Sequence, residues 1–170
     1  MKVVLAFLLF AVSAFAQNPM AVATAACGPK KVSFDVMTNP AQHSLELPEP
    51  GKARVYFVQD LGTQAPLGVG GAQVTRVGID GAWVGANNNN SYFSVSVEPG
   101  EHHICVNAQT HLFKGVMEFA HFTAEAGKVY YFRTRDFLWQ TRRLEFAPVD
   151  SDQARYMIAA YPRSIAHAKK

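Results

Sequence analysis

The chain predicts an all-β fold, an antiparallel β-sandwich of about seven or eight strands with one short C-terminal helix. Three observations carry that prediction. From Gly51 onward, short β-branched and aromatic runs recur between Gly, Pro, Asn and Asp clusters, the pattern of an antiparallel β domain. Tyr92 to Val97 alternates cleanly, with Phe93, Val95 and Val97 on one face and Tyr92, Ser94 and Ser96 on the other. In Asp150 to Tyr161 the period changes, and Ala154, Met157, Ile158 and Tyr161 fall at i, i+3, i+4 and i+7 to make one helical stripe.

The elements follow in order. Ala53 to Gln59, with Tyr56 and Phe57, is apolar enough for a strand buried on both faces. Pro66 to Gly71 reads as a connection. Val74 to Ile79 and Ala82 to Gly85 flank Asp80-Gly81, a two-residue loop suited to a type I′ turn because both central positions need positive φ. Pro99-Gly100 is expected to turn Tyr92 to Val97 back onto His102 to Asn107 as its partner strand. Val116 to Thr123 and Lys128 to Thr134 flank Ala126-Gly127 as a further hairpin, and Leu144 to Val149 is the last strand. Asp150 with Gln153 three places on forms a capping box, and Pro162 stops the helix. This helix is expected to cover an edge or an open end of the core.

Residues 1–16 read as a signal peptide. Lys2 gives a positive start, Val3 to Val12 is a nearly unbroken apolar run, and Ala14-Phe15-Ala16 supplies the small residues a signal peptidase needs before Gln17. The run is too short to span a bilayer, which takes about 20 residues. Residues 17–50 then read as an N-terminal arm and connection containing one short strand, Val32 to Met37. Residues 51–161 form a single β-sandwich domain with its helix near 151–160, and residues 162–170 a C-terminal tail. The expected location is extracytoplasmic, periplasmic or secreted.

Composition narrows the function classes. The formal net charge is +3, and removing the leader takes away one positive charge, so no strong field is left to attract nucleic acid. Lys30-Lys31, Arg142-Arg143 and Lys169-Lys170 are the basic clusters, and each reads as solvated surface. The two cysteines, Cys27 and Cys105, are expected to form one disulfide in an oxidising compartment. Closing a loop of about 78 residues is worth roughly 4.5 kcal/mol in the chain-entropy model, as an upper figure. The alternative is a lipidated Cys27, the one route to membrane attachment. Thr24-Ala25-Ala26 lacks the large aliphatic residue usual three places before a lipidated cysteine.

No catalytic motif stands out. His102-His103, with His111 and His121 downstream, invites a metal reading, but adjacent strand residues point to opposite faces and cannot share an ion, so no metal site and no cofactor are expected. There is no GxSxG elbow, and Asp80, Glu98, Glu101 and Glu125 sit at turns that already explain them. The expectation is a non-enzymatic module that binds an envelope polysaccharide or protein partner. A small secreted hydrolase with an unrecognised site, and a structural or assembly protein of the envelope, are the alternatives. The candidate contact surface is Trp83 with Asn87, Asn88, Asn89, Asn90 and Tyr92, since aromatics beside amides can stack on and hydrogen-bond sugars or peptide groups. Its competing reading is a core tryptophan beside a solvated turn. Phe137, Leu138 and Trp139, between Arg135 and Arg142, make a second aromatic-basic patch.

The runs Gly51-Lys52-Ala53-Arg54-Val55-Tyr56-Phe57, Arg76 to Gly81, Phe93 to His102 with Glu98-Pro99-Gly100-Glu101-His102, and Ala126 to Tyr131 resemble a bacterial family of secreted proteins and lipoproteins, domain of unknown function twenty-eight forty-six. The resemblance covers roughly Gly51 to Tyr161. The Asp-Gly turn followed by Pro-Gly-Glu-His is also similar to PEGA-type modules, small β-sandwich domains of bacterial cell-surface proteins. The resemblance implies a β-sandwich and an envelope location, and it brings no catalytic residues.

Overall fold

The computed structural model describes residue 21 and residues 25–41, 45–61, 73–109, 116–136 and 143–169. The described residues form ten strands and one helix: β1 (Phe34–Asn39), β2 (Ala53–Asp60), β3 (Val74–Ile79), β4 (Ala82–Asn88), β5 (Ser91–Val97), β6 (Gly100–Ala108), β7 (Met117–Ala124), β8 (Val129–Asp136), β9 (Leu144–Pro148), α1 (Ser151–Ala160) and β10 (Arg163–Ala168). Residues 1–16, the 66–71 connection, His111 and the patch from Phe137 to Trp139 lie outside the described residues.

The strands make a six-stranded sheet in the order β1-β10-β5-β2-β8-β9 and a four-stranded sheet in the order β4-β3-β6-β7. Alternation supplies the apolar layer between them. Val55 and Phe57 of β2, Phe93 of β5 and Phe132 of β8 meet Val77 of β3 and Ile104 and Val106 of β6 in one cluster. Burying each such side chain is worth about 1.5–3 kcal/mol. The all-β sandwich holds, with ten strands among the described residues where seven or eight are expected.

β2 is buried on both faces because a second cluster covers its other side. Tyr56 and Val58 of β2 and Tyr92 of β5 pack there against Met157 and Ile158 of α1. Ala154, Met157 and Ile158 form the buried stripe of α1, as the spacing predicts. Asp150 caps its N-terminus, the carboxylate accepting from the backbone N–H groups of Asp152 at 2.8 Å and Gln153 at 3.4 Å. The helix lies over the outer face of the six-stranded sheet, not over an edge or an open end. The reason is that β2 and β8 present large side chains outward as well as inward, and that face must also be removed from water.

The pairing departs from a simple antiparallel order. Asp80 and Gly81, at φ 49° and 87°, form the expected turn, and β3 pairs β4 across it. The Pro99-Gly100 and Ala126-Gly127 turns do not make hairpins. β5 belongs to the six-stranded sheet and β6 to the four-stranded one, and β7 and β8 are split the other way. A short polar turn between two alternating segments serves equally well for a hairpin and for an arch between sheets, so local pattern does not separate them. Because the chain crosses between sheets, β8 meets β2 in parallel from Arg54↔Val129 to Asp60↔Arg135. β10 meets β5 in parallel at Arg163↔Tyr92.

Residues 163–168, expected as tail, form β10, which pairs β1 antiparallel from Phe34↔Ala168 to Asn39↔Arg163. Its strand signal is weak because Ile165 is its one large apolar residue. The edge at β1 is protected by a side chain. Gln109 donates its Nε2 to the Phe34 carbonyl and accepts from the Phe34 N–H with Oε1, both at 2.7 Å, so the amide stands in for a neighbouring strand.

Candidate functional site

Trp83 sits on β4 and carries the chain's own arm. Its indole N–H donates to the Pro29 carbonyl at 2.9 Å, and the Arg76 guanidinium lies 4.1 Å from the centre of its ring. Gly28 is pressed against the ring so closely that a Cβ there would lie 2.3 Å from Cδ1. The Gly81 N–H donates to the Ala26 carbonyl at 3.2 Å, and Cys27 is joined to Cys105 of β6 with the two Cα atoms 5.1 Å apart. The disulfide uses the Cys27 sulfur that an acyl thioether would need.

The amide loop is a structural turn. Asn87 is buried and donates to the Phe57 carbonyl at 3.1 Å, tying the four-stranded sheet to the six-stranded one. The Asn88 N–H donates to Ser91 Oγ at 3.0 Å. Asn89 takes positive φ at the turn and accepts from the Gln73 N–H at 3.1 Å. Asn90 accepts from the Leu61 N–H at 2.7 Å. Tyr92 is buried on the helix-covered face of the other sheet. The side chains of Trp83, Asn87, Asn89, Asn90 and Tyr92 are therefore engaged within the chain, while Asn88 Oδ1 is buried without a protein partner. Asn87 belongs to a polar layer at this end of the sandwich, with Gln59, Thr75, Ser91 and Thr134 also buried. Gln59 Oε1 and Thr75 Oγ1 have no protein partner there.

Asp80 and His102 have the look of the acid-imidazole half of a catalytic triad. His102 Nδ1 lies 2.6 Å from Asp80 Oδ2, but Nε2, where a nucleophile would sit, is 2.7 Å from the Glu98 carbonyl. The imidazole therefore joins two turns instead of activating a hydroxyl. Burial alone would push its pKa down; the Glu98 carbonyl and the Asp80 carboxylate more than offset this and raise it.

A second feature lies where sequence carries no motif. Residues 45–49 run in no regular structure across the outer face of the six-stranded sheet. Glu46 pairs with Arg163, lies 3.2 Å from Arg54 and accepts from Ser94 Oγ at 2.9 Å. The Tyr56 hydroxyl donates to the Glu46 carbonyl at 3.1 Å and accepts from the Glu46 N–H. Burial disfavours the Glu46 charge, but the Arg163 and Ser94 hydrogen bonds and the charges of Arg163 and Arg54 hold its carboxyl below the ordinary value. Glu49 accepts from Ser96 at 2.7 Å, so the two serines on the polar face of β5 are covered by this strap. The strap leaves Leu47 83 % exposed and Leu45 45 % exposed. On the same sheet Met37, opposite Ile165 in the β1–β10 register, is 61 % exposed. Strand alternation marks Ser94 and Ser96 as outward, but nothing local names Glu46 and Arg163 as partners 117 residues apart.

These features define a disulfide-linked, two-sheet β-sandwich whose six-stranded sheet is covered outside by one helix and a charged strap. A protein-family model described as "Protein of unknown function (DUF2846)" matches residues 49–138, more than half of the chain, and the chain belongs to that family. The matched span takes in β2 to β8, ends short of Tyr161, and leaves the arm, Glu46, α1 and β10 outside it. Neither the curated proteins nor the solved structures give a match to the chain.

Proposed function

We propose that the protein is a non-enzymatic, extracytoplasmic module of the cell envelope that binds a protein partner. The observation that carries this reading is the Cys27–Cys105 bond, which fastens the arm across the outside of the four-stranded sheet. Disulfides of this structural kind form and persist in oxidising compartments, and the leader-like residues 1–16 agree with export. A protein partner is favoured over a polysaccharide because Trp83 and Tyr92 are engaged within the chain, whereas Met37, Leu45 and Leu47 stand exposed on one side of the molecule. The His102 geometry, with both ring nitrogens occupied, speaks against a hydrolase built on Asp80.

The test combines fractionation with site-directed photo-crosslinking. Intact mass of the native protein should show a start near Gln17 and a two-proton mass deficit that reduction abolishes. A photo-reactive residue at Met37 or Leu47 should give a discrete protein adduct in the envelope fraction, and one at Asp152 should not. Recovery from the cytoplasm with two free thiols, or equal labelling from all three positions, overturns the reading.

A further inference from the structure

β6 and β7 pair without a register shift from Gly100↔Ala124 to Asn107↔Met117, which sets His103 directly opposite His121. Ile104 and Val106 on β6, and Ala120 and Phe122 on β7, face the core. His103 and His121 therefore share the outer face of the four-stranded sheet. Their rings lie 6.1 Å apart, centre to centre, inclined at 38°. His121 is exposed and the His103 side chain is 37 % exposed. Glu101, on the same face two residues before His103, places Oε1 3.7 Å from His103 Nε2.

The strands beneath are held firmly. The backbone N–H of His103 donates to Asp80 Oδ1 at 2.9 Å, its carbonyl accepts from the Asp80 N–H at 3.0 Å, and Cys105, two residues on, is in the disulfide. Cross-strand neighbours in an antiparallel sheet have Cβ atoms about 4.5–5.5 Å apart. Metal–nitrogen bonds are about 2.0–2.1 Å long, so the exposed His121 ring and the partly exposed His103 ring reach one ion by turning about their side-chain bonds, with the backbone fixed. Among the described residues no three His, Cys, Asp or Glu side chains converge on one point. The arrangement is thus a two-imidazole chelate, with its other positions open to water or to a ligand from elsewhere.

We propose that His103 and His121 form a surface site for a divalent transition-metal ion of the imidazole-preferring class, copper, nickel or zinc. Glu101 stands beside His103 Nε2, where a small side-chain turn brings its carboxylate onto that N–H once Nδ1 holds the ion, the second-shell contact that strengthens an imidazole ligand. Imidazole nitrogen selects these ions over magnesium and calcium, which prefer oxygen, and copper(II) binds tightest in the series. Position on β7, an edge strand of its sheet, keeps the ion accessible.

The probe is Cu2+, titrated calorimetrically into untagged, oxidised protein, with electron paramagnetic resonance to count coordinated nitrogens. Wild type should bind one ion at this site with two imidazoles in the spectrum. His103→Ala and His121→Ala should each weaken that binding about 100-fold, because the second ligand no longer acts intramolecularly. Glu101→Gln should weaken it less than either, and His167→Ala not at all; Ca2+ should not compete. Circular dichroism confirms folding, and exposed His121 gives the variant least coupled to the fold. Absence of Cu2+ binding in wild type, a one-imidazole spectrum, or equal affinity in His121→Ala overturns the proposal.

Discussion

Nδ1 of His102 lies 2.6 Å from Oδ2 of Asp80, and the other ring nitrogen faces the Glu98 carbonyl at 2.7 Å. Both contacts need an N–H on the ring, so the imidazolium is the form that satisfies them. The ring joins the β3–β4 turn, whose Gly81 N–H also holds the Ala26 carbonyl, to the connection between β5 and β6.

The His102 pKa is raised on folding. Its stabilising contribution is therefore complete below the ordinary histidine pKa of about 6.5 and is lost as pH rises through the higher folded-state value. Denaturant midpoints should fall across that window, and His102→Gln should flatten the dependence. Asp80 is partly exposed, so the expected loss is about 1 kcal/mol. An unchanged pH slope in the variant would remove His102 as its origin.

Replacing both cysteines with serine, or reducing the bond, should cost about 2–4 kcal/mol, within the loop-entropy ceiling of roughly 4.5 kcal/mol. The arm should then exchange its amide hydrogens faster, because Ala26, Gly28 and Pro29 depend on Cys27 for their place. Hydrogen exchange at residues 25–32 reads this directly.

Gly28→Ala should push the arm off Trp83. A Cβ would meet the indole at 2.3 Å and the Trp83 backbone nitrogen at 2.7 Å, and such overpacking costs about 1–3 kcal/mol. Tryptophan fluorescence should shift to the red as the ring gains water. No shift would mean that the arm accommodates the methyl group.

Gln109→Ala should remove the amide that pairs with Phe34. Two hydrogen bonds are lost, for about 1–2 kcal/mol after solvent replaces part of them. The uncovered β1 edge should also promote association, visible as concentration-dependent light scattering. Stability loss without association would assign Gln109 to local anchoring alone.

Ile158→Ala should destabilise by about 2–5 kcal/mol, since Ile158 is buried between α1 and the six-stranded sheet. Tyr156→Ala, at 75 % exposure on the same helix, should stay within about 0.5 kcal/mol. Thermal melts of the two variants separate the faces of the helix.

Much of the local structure is legible in the chain. Asp80-Gly81 names its own turn because few residues accept positive φ at both positions. Asp150, the Ala154–Met157–Ile158 stripe and Pro162 delimit α1 without reference to any neighbour. The doubly buried character of β2 is also visible, as an apolar run with little alternation. β10 escapes notice because Ser164, Ala166 and His167 carry no strand signal of their own; β1 and β5 make it a strand by offering it hydrogen bonds.

The candidate sites divide along the same line. An aromatic beside several amides is a sound pattern for a contact surface, but Trp83 and Tyr92 belong to different sheets, and the arm reaches Trp83 through a bond 78 residues long in sequence. By itself, the sequence determined the β class, the punctuation of the strands, the helix with its buried face, and the pairing available to two cysteines. These depend on residues a few places apart, or on a count of two. Only the tertiary structure decided which turns become arches between sheets, that Glu46 lies between Arg54 and Arg163, and that His103 faces His121. Those relations depend on register between distant strands, and register is set by packing across the whole core, where a shift of one residue would turn every side chain to the other face.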